Sequence, residues 1–106
     1  MSEESSTTFH FEVGQLVEHR RYGYRGVVAA RDSECQASEA WYQGNQTQPD
    51  RSQPWYHVLV HGARHTTYVA ESNLEPDTSA QPVVHPWLDK IFERFHNGHY
   101  AKQNLN

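Results

Sequence analysis

No apolar run in this sequence of 106 residues approaches the ~20 that a membrane-crossing helix needs. The first residues, MSEESSTTFHF, lack the basic start and apolar stretch of a secretory signal, so a cytoplasmic protein without membrane contact is expected. A single cysteine, Cys35, excludes an internal disulfide framework and fits a reducing compartment. Positive charge is also in short supply. With a formal net charge of −4, the surface as a whole is not built for phosphate, and any nucleic-acid contact has to rest on a local patch.

Catalytic signatures are missing too. There is no Gly-x-Ser-x-Gly elbow, phosphate-binding loop or dinucleotide fingerprint. Cys35 follows Asp32 and Glu34, whose charges oppose the thiolate that a nucleophile needs. Eight histidines, among them His61 and His65 across a turn and His96 and His99 near the C-terminus, come without a His-Glu-x-x-His motif or clustered cysteines. The expectation is a non-enzymatic protein with no cofactor and no metal.

What the chain does have is aromatic surface. Three Trp and six Tyr within 12% aromatics supply a small, aromatic-heavy core for one domain. Residues 1–8 are too polar to bury anything and read as a disordered tail. Short strands are expected at Gln15-Leu16-Val17-Glu18-His19 and Gly26-Val27-Val28-Ala29-Ala30, joined by a hairpin that uses Gly23, and again at residues 55–61 and 66–70. Residues 32–54 form a long polar connection in which Ala37, Ala40, Trp41 and Tyr42 are spaced for one or two helical turns. Residues 77–85 read as a linker. From Pro86 the spacing of Trp87, Leu88, Ile91, Phe92 and Phe95 predicts an amphipathic helix over 86–97, capped by Gly98 and followed by a polar tail over 98–106. Strands joined by turns without βαβ alternation predict a mainly β fold, a small SH3-like antiparallel β-barrel over 9–76 with a C-terminal helix.

The succession Val13-Gly14-Gln15-Leu16-Val17-Glu18-His19, Tyr24-Arg25-Gly26-Val27-Val28, Asp32, Gln53-Pro54-Trp55-Tyr56-His57-Val58-Leu59-Val60 and Thr67-Tyr68-Val69-Ala70-Glu71-Ser72-Asn73-Leu74 resembles the YccV-like domain family. Heat-shock protein HspQ belongs to that family, and a eukaryotic F-box protein carries a similar domain. The resemblance covers about residues 11–75 with the long loop in its place. It implies an SH3-like barrel, binding of hemimethylated DNA and, for HspQ-type members, a stress-response role as partner of an ATP-dependent protease. The Trp/Phe-rich C-terminal segment departs from the compact HspQ pattern.

Residues 9–31 set four arginines against two glutamates inside an acidic chain, with tyrosines interleaved. Arginine forks grip phosphate and tyrosine faces stack on bases, so Arg20, Arg21 and Arg25 are the expected phosphate contacts and Tyr22 and Tyr24 the expected base or sugar contacts. The alternative is a solvated hairpin tip whose tyrosines cover the end of the barrel. Residues 32–50, with Asp32, Glu34, Glu39 and Asp50 and no cation, would repel a duplex. The second functional reading, which the resemblance to HspQ implies and the net charge of −4 permits, is a protein-interaction module or adaptor for an ATP-dependent protease. Trp87, Phe92 and Phe95 then either pack on the barrel or meet a partner or a second copy of the chain.

Overall fold

The computed structural model describes residues 8–103; the expected tail over 1–8 and the end of that over 98–106 lie largely or partly outside them. Among the described residues seven strands form in chain order: β1 (Leu16–His19), β2 (Arg25–Asp32), β3 (Trp55–Val60), β4 (Thr66–Ala70), β5 (Leu74–Pro76), β6 (Phe92–His96) and β7 (His99–Lys102). Between them lie two short helices, α1 (Glu39–Gln43) and α2 (Leu88–Ile91), and a 3₁₀ turn at Glu71–Asn73. Antiparallel pairing gives a five-stranded sheet in the order β4-β3-β2-β1-β5, and β6 and β7 make a separate hairpin. The fold is mainly β. The sheet does not close into a barrel, because among the described residues β4 and β5 are each paired on one side only and are joined by the 3₁₀ turn.

Both faces of this sheet are buried. Side chains alternate along a strand, so neighbouring apolar residues serve opposite faces. Val17, Val28, Tyr56, Val58, Val69 and Leu74 point to one side, where Phe11 completes the cluster, while Leu16, Val27 and Leu59 point to the other. Tyr56 is wholly buried, and its hydroxyl donates to Glu71 Oε2 at 2.6 Å, which satisfies a polar group that would otherwise be costly there. Burial, and then that hydrogen bond, push the phenol above its ordinary value.

The second face is covered by the C-terminal segment, which is not a helix over 86–97. Only Leu88–Ile91 is helical, and from Phe92 the chain pairs as the β6–β7 hairpin. The cause is local. Asn97 and Gly98 both take positive φ, 53° and 75°, the conformation of a two-residue type I′ hairpin turn, so Gly98 serves a strand reversal and not a helix cap. Phe92 and Tyr100 pack with Val83 against Leu16, Val27 and Leu59. The apolar face thus docks on the sheet in strand form. Residues 77–85 hold no helix or strand, yet Val83 and His85 are buried and the Val83 N–H donates to the Tyr100 hydroxyl at 2.9 Å.

Gly14 is where the hairpin meets the sheet. Its N–H donates to Val28 O at 2.8 Å and its carbonyl accepts from the Tyr100 N–H at 2.9 Å. Its φ is +96°, and a Cβ there would lie 2.0 Å from Tyr100 O. Gly14→Ala should therefore lower stability by about 2 kcal/mol or more, from strain and steric clash together, read as a lower urea midpoint at unchanged m.

A half-buried ion pair fastens the segment that follows β5. Arg25 Nε donates to Asp77 Oδ2 at 2.6 Å, with the Asp77 side chain 6% exposed. Burial alone would raise the Asp77 carboxyl, but hydrogen bonds from Arg25 and Ser79 and the Arg25 charge outweigh it, and the net shift is downward from 3.8. A depressed carboxylate stabilises the fold above its unfolded value and loses that contribution as the pH falls through the folded one. Asp77→Asn should cost about 1–3 kcal/mol at pH 7, with the gap to wild type closing below pH 3.8 in urea titrations.

Candidate binding cleft

Three parts of the chain converge beside β4. The β1–β2 turn supplies His19, Tyr22 and Tyr24, the long loop supplies Trp41, Asn45, Gln46, Thr47 and Pro49, and β3 supplies Trp55 and His57. Together they line a cleft of about 470 Å³. All five residues of β4, Thr66–Ala70, line it as well, so the cleft runs along a strand that has a ladder partner on one side only. No Lys, Arg, Asp or Glu is among the lining residues.

The loop wall is ordered by its own bonds. Ser38 caps α1 by accepting the Trp41 N–H at 3.1 Å, which sets the short helix carrying Trp41. The Cys35 N–H donates to Arg51 O at 2.9 Å and the Tyr42 hydroxyl to Pro49 O at 2.8 Å, drawing the ends of the loop together. Cys35, Trp55 and Ala70 form a small buried cluster beneath. Trp41 stands over it, its ring 6.1 Å from that of Trp55 at 70° and 5.7 Å from that of Tyr68 at 62°. Tyr68 is fixed in turn: its hydroxyl donates to Asp32 Oδ2 at 2.6 Å and accepts the Gln36 N–H at 3.0 Å. Burial, followed by the bond to Asp32, raises this phenol above its usual range and keeps it protonated.

The opposite wall hangs on His19. Its Nδ1 accepts the N–H groups of Arg21 and Tyr22, each at 3.1 Å, and its ring stacks on Tyr22 at 4.7 Å. The Tyr24 hydroxyl bonds Thr67 Oγ1 at 2.7 Å, and the Tyr22 hydroxyl reaches across to Gln46 Oε1 at 2.9 Å, so the two walls touch at one end. Histidines elsewhere do similar work: His61 Nδ1 accepts the Val84 N–H and His85 Nδ1 the Trp87 N–H. Among the described residues no group of three or more His, Cys, Asp or Glu gathers at metal-binding distance.

The five residues expected to meet nucleic acid are divided by the fold. Tyr22 and Tyr24 face the cleft. Arg25 is held by Asp77 and by Gln81 O at 2.5 Å, while Arg20 donates to Leu74 O at 3.0 Å and lies 3.5 Å from Glu75. Arg21 is exposed, its guanidinium 5.8 Å from the Tyr22 ring centre, with no acidic partner among the described residues. The expected partner-binding trio is divided as well. Trp87 is 48% exposed, Phe92 is buried in the core, and Phe95 is half-buried against Tyr100. Trp41, Trp55, His57 and Tyr68 were not among the expected site residues. Their one sequence signal was the density of aromatics around the long loop.

Over residues 9–99 the chain matches the family described as hemimethylated DNA-binding protein YccV like. The chain belongs to this family. Similar curated proteins include F-box only protein 21 of Mus musculus, 30% identical over 102 residues, and those of Pongo abelii and Homo sapiens, both 29% identical. Each match covers 93% of this chain and 16% of the relative, so the YccV-like domain corresponds to a small part of those proteins. No described helix is long and apolar enough to cross a membrane.

The histidine under the β1–β2 turn makes this wall sensitive to acid. Burial, and then the Arg21 charge, lower His19 from 6.5. The neutral ring is the form that accepts two backbone N–H groups, so its stabilisation is complete above 6.5 and is lost as the pH falls through the folded value. In an NMR pH titration the His19 ring should titrate below 6.5, with the Tyr22 amide moving in the same step; a ring titrating at or above 6.5 would show that the turn does not depend on it.

Proposed function

We propose that this YccV-like domain is a non-enzymatic binding module on an SH3-like scaffold, and that its ligand is an extended protein segment lying in the cleft along β4. One observation carries this reading: the whole of an edge strand lines an aromatic cleft whose lining holds no Lys or Arg. An extended segment can add to the free side of such a strand through main-chain hydrogen bonds, with its side chains seated between aromatic walls. Phosphate binding needs clustered cations, and here Arg25 is withdrawn into an ion pair while Arg20 is partly engaged. Acting as an adaptor, holding a protein segment for another machine such as a protease, is the role that fits such a module.

Binding of hemimethylated DNA is the second reading. It is favoured by the description of the family and by Arg21 and Tyr22, exposed side by side at the mouth of the cleft. DNA held that way would use Arg21 for phosphate and Tyr22 for stacking.

The two readings separate in one comparison. Peptides selected from a random displayed library should bind the purified chain, lose about tenfold or more in affinity with Trp41→Ala, and change little with Arg21→Ala. Their binding should vary weakly with salt. If instead a hemimethylated duplex binds more tightly than its fully methylated and unmethylated forms, with steep salt dependence, loss on Arg21→Ala and no effect of Trp41→Ala, the protein-segment reading is wrong.

A further inference from the structure

The aromatic rings of the cleft form a corner. Trp41 stands at 62° to Tyr68 and at 70° to Trp55, and Tyr22 faces them from the other wall. Trp55 is almost fully buried and supports the corner from behind, whereas Trp41 and Tyr22 are 39% and 53% exposed. Behind Tyr68 and His57 lies a carboxylate: Asp32 Oδ2 is 2.6 Å from the Tyr68 hydroxyl and 3.5 Å from His57 Nε2.

Elsewhere in the fold, aromatic faces are matched with cations. Arg31 sits 4.3 Å over Phe9 and Arg51 4.9 Å over Tyr42. Among the described residues no Lys or Arg lies over Trp41 or Tyr68, the His57 ring packs on Tyr68 at 4.5 Å, and the nearest arginine pairing in the cleft, Arg21 on Tyr22, is long at 5.8 Å. The loop forming the Trp41 wall carries Asp32, Glu34, Glu39 and Asp50 against one cation, Arg51, which lies 3.6 Å from Glu39. Aromatic faces set at an angle, a carboxylate behind them and an acidic shoulder make a site for a desolvated organic cation.

We propose that the cleft recognises an alkylammonium group, the head of a lysine side chain or its methylated form, carried by the bound protein segment. This rests on the cleft being the surface that binds such a segment. The ammonium lies in the corner of Trp41 and Tyr68 with Tyr22 opposite, and Asp32 provides the compensating charge through space. Charge selects the occupant: an acidic side chain would be repelled by Asp32, and a neutral aliphatic one would forgo the attraction of the ring faces.

The test uses small probes on the ¹⁵N-labelled chain: N-acetyl-lysine methylamide, its trimethylammonium form, and N-acetyl-norleucine methylamide, which has the same reach without charge. Both cationic probes should shift the Trp41 indole and the Thr66–Ala70 amides saturably, and bind about tenfold more tightly than the norleucine probe. Asp32→Asn should weaken the cationic probes and leave the norleucine probe unchanged, a selectivity that a general loss of structure would not produce. Trp41→Phe should retain binding that Trp41→Ala loses, each variant checked for a native-like amide spectrum. Equal binding of lysine and norleucine probes, or shifts outside the cleft, would overturn the inference. If library peptides bind through Trp41 without enrichment of lysine, the cation preference is wrong and the cleft reading stands; if no peptide binds through Trp41, both are wrong.

Discussion

The structure depends on the burial of β2 and β3 on both faces. A sheet in a small domain commonly keeps one face for solvent, but here adjacent residues such as Val27 and Val28, or Val58 and Leu59, belong to opposite cores. One core is closed by Phe11 and Leu74, the other by the C-terminal hairpin through Phe92 and Tyr100. Gly26 shows how tight the centre is: a Cβ there would lie 2.5 Å from both Leu59 O and Val58 Cγ1. With much of the central strands covered, the sheet keeps two outer edges, β4 and β5, and the cleft lies along β4.

The polar chemistry follows the same economy. Arg25 fastens the segment after β5, Arg31 bonds Phe11 O, and Arg51 bonds Ala37 O while stacking on Tyr42. Histidines 19, 61 and 85 accept backbone N–H groups where the chain turns. Cations that a charge count assigns to a nucleic-acid surface are thus largely occupied in holding loops. The cleft they leave is aromatic, free of Lys, Arg, Asp and Glu in its lining, and backed by Asp32.

Much of the sheet was legible in the sequence because its strands are short, β-branched and bounded by turn residues: residues 55–61 and 66–70 were expected as strands, and Trp55–Val60 and Thr66–Ala70 are strands. The C-terminal segment misled for a definite reason. Leu88, Ile91, Phe92 and Phe95 satisfy helical spacing, but Asn97-Gly98 is a hairpin signal, and tertiary packing of Phe92 and Tyr100 sides with it. The open sheet was not legible either, since closure depends on whether two edge strands reach one another and β5 has only three residues. Of the cleft, the sequence showed Tyr22 and Tyr24 alone. Trp41, His57 and Tyr68 lie on three separate segments, and no local pattern reveals that a 22-residue connection folds back so that Gln36 meets Tyr68.

The central claim, that the edge of β4 is the working surface, is tested most directly by amide hydrogen exchange with and without a bound library-selected peptide. Amides within Thr66–Ala70 are expected to become slower on binding, together with the Trp41 indole, while those of the β6–β7 hairpin, which does not line the cleft, change little. Protection confined to the β1–β2 turn around Arg21, with β4 unaltered, would contradict the claim.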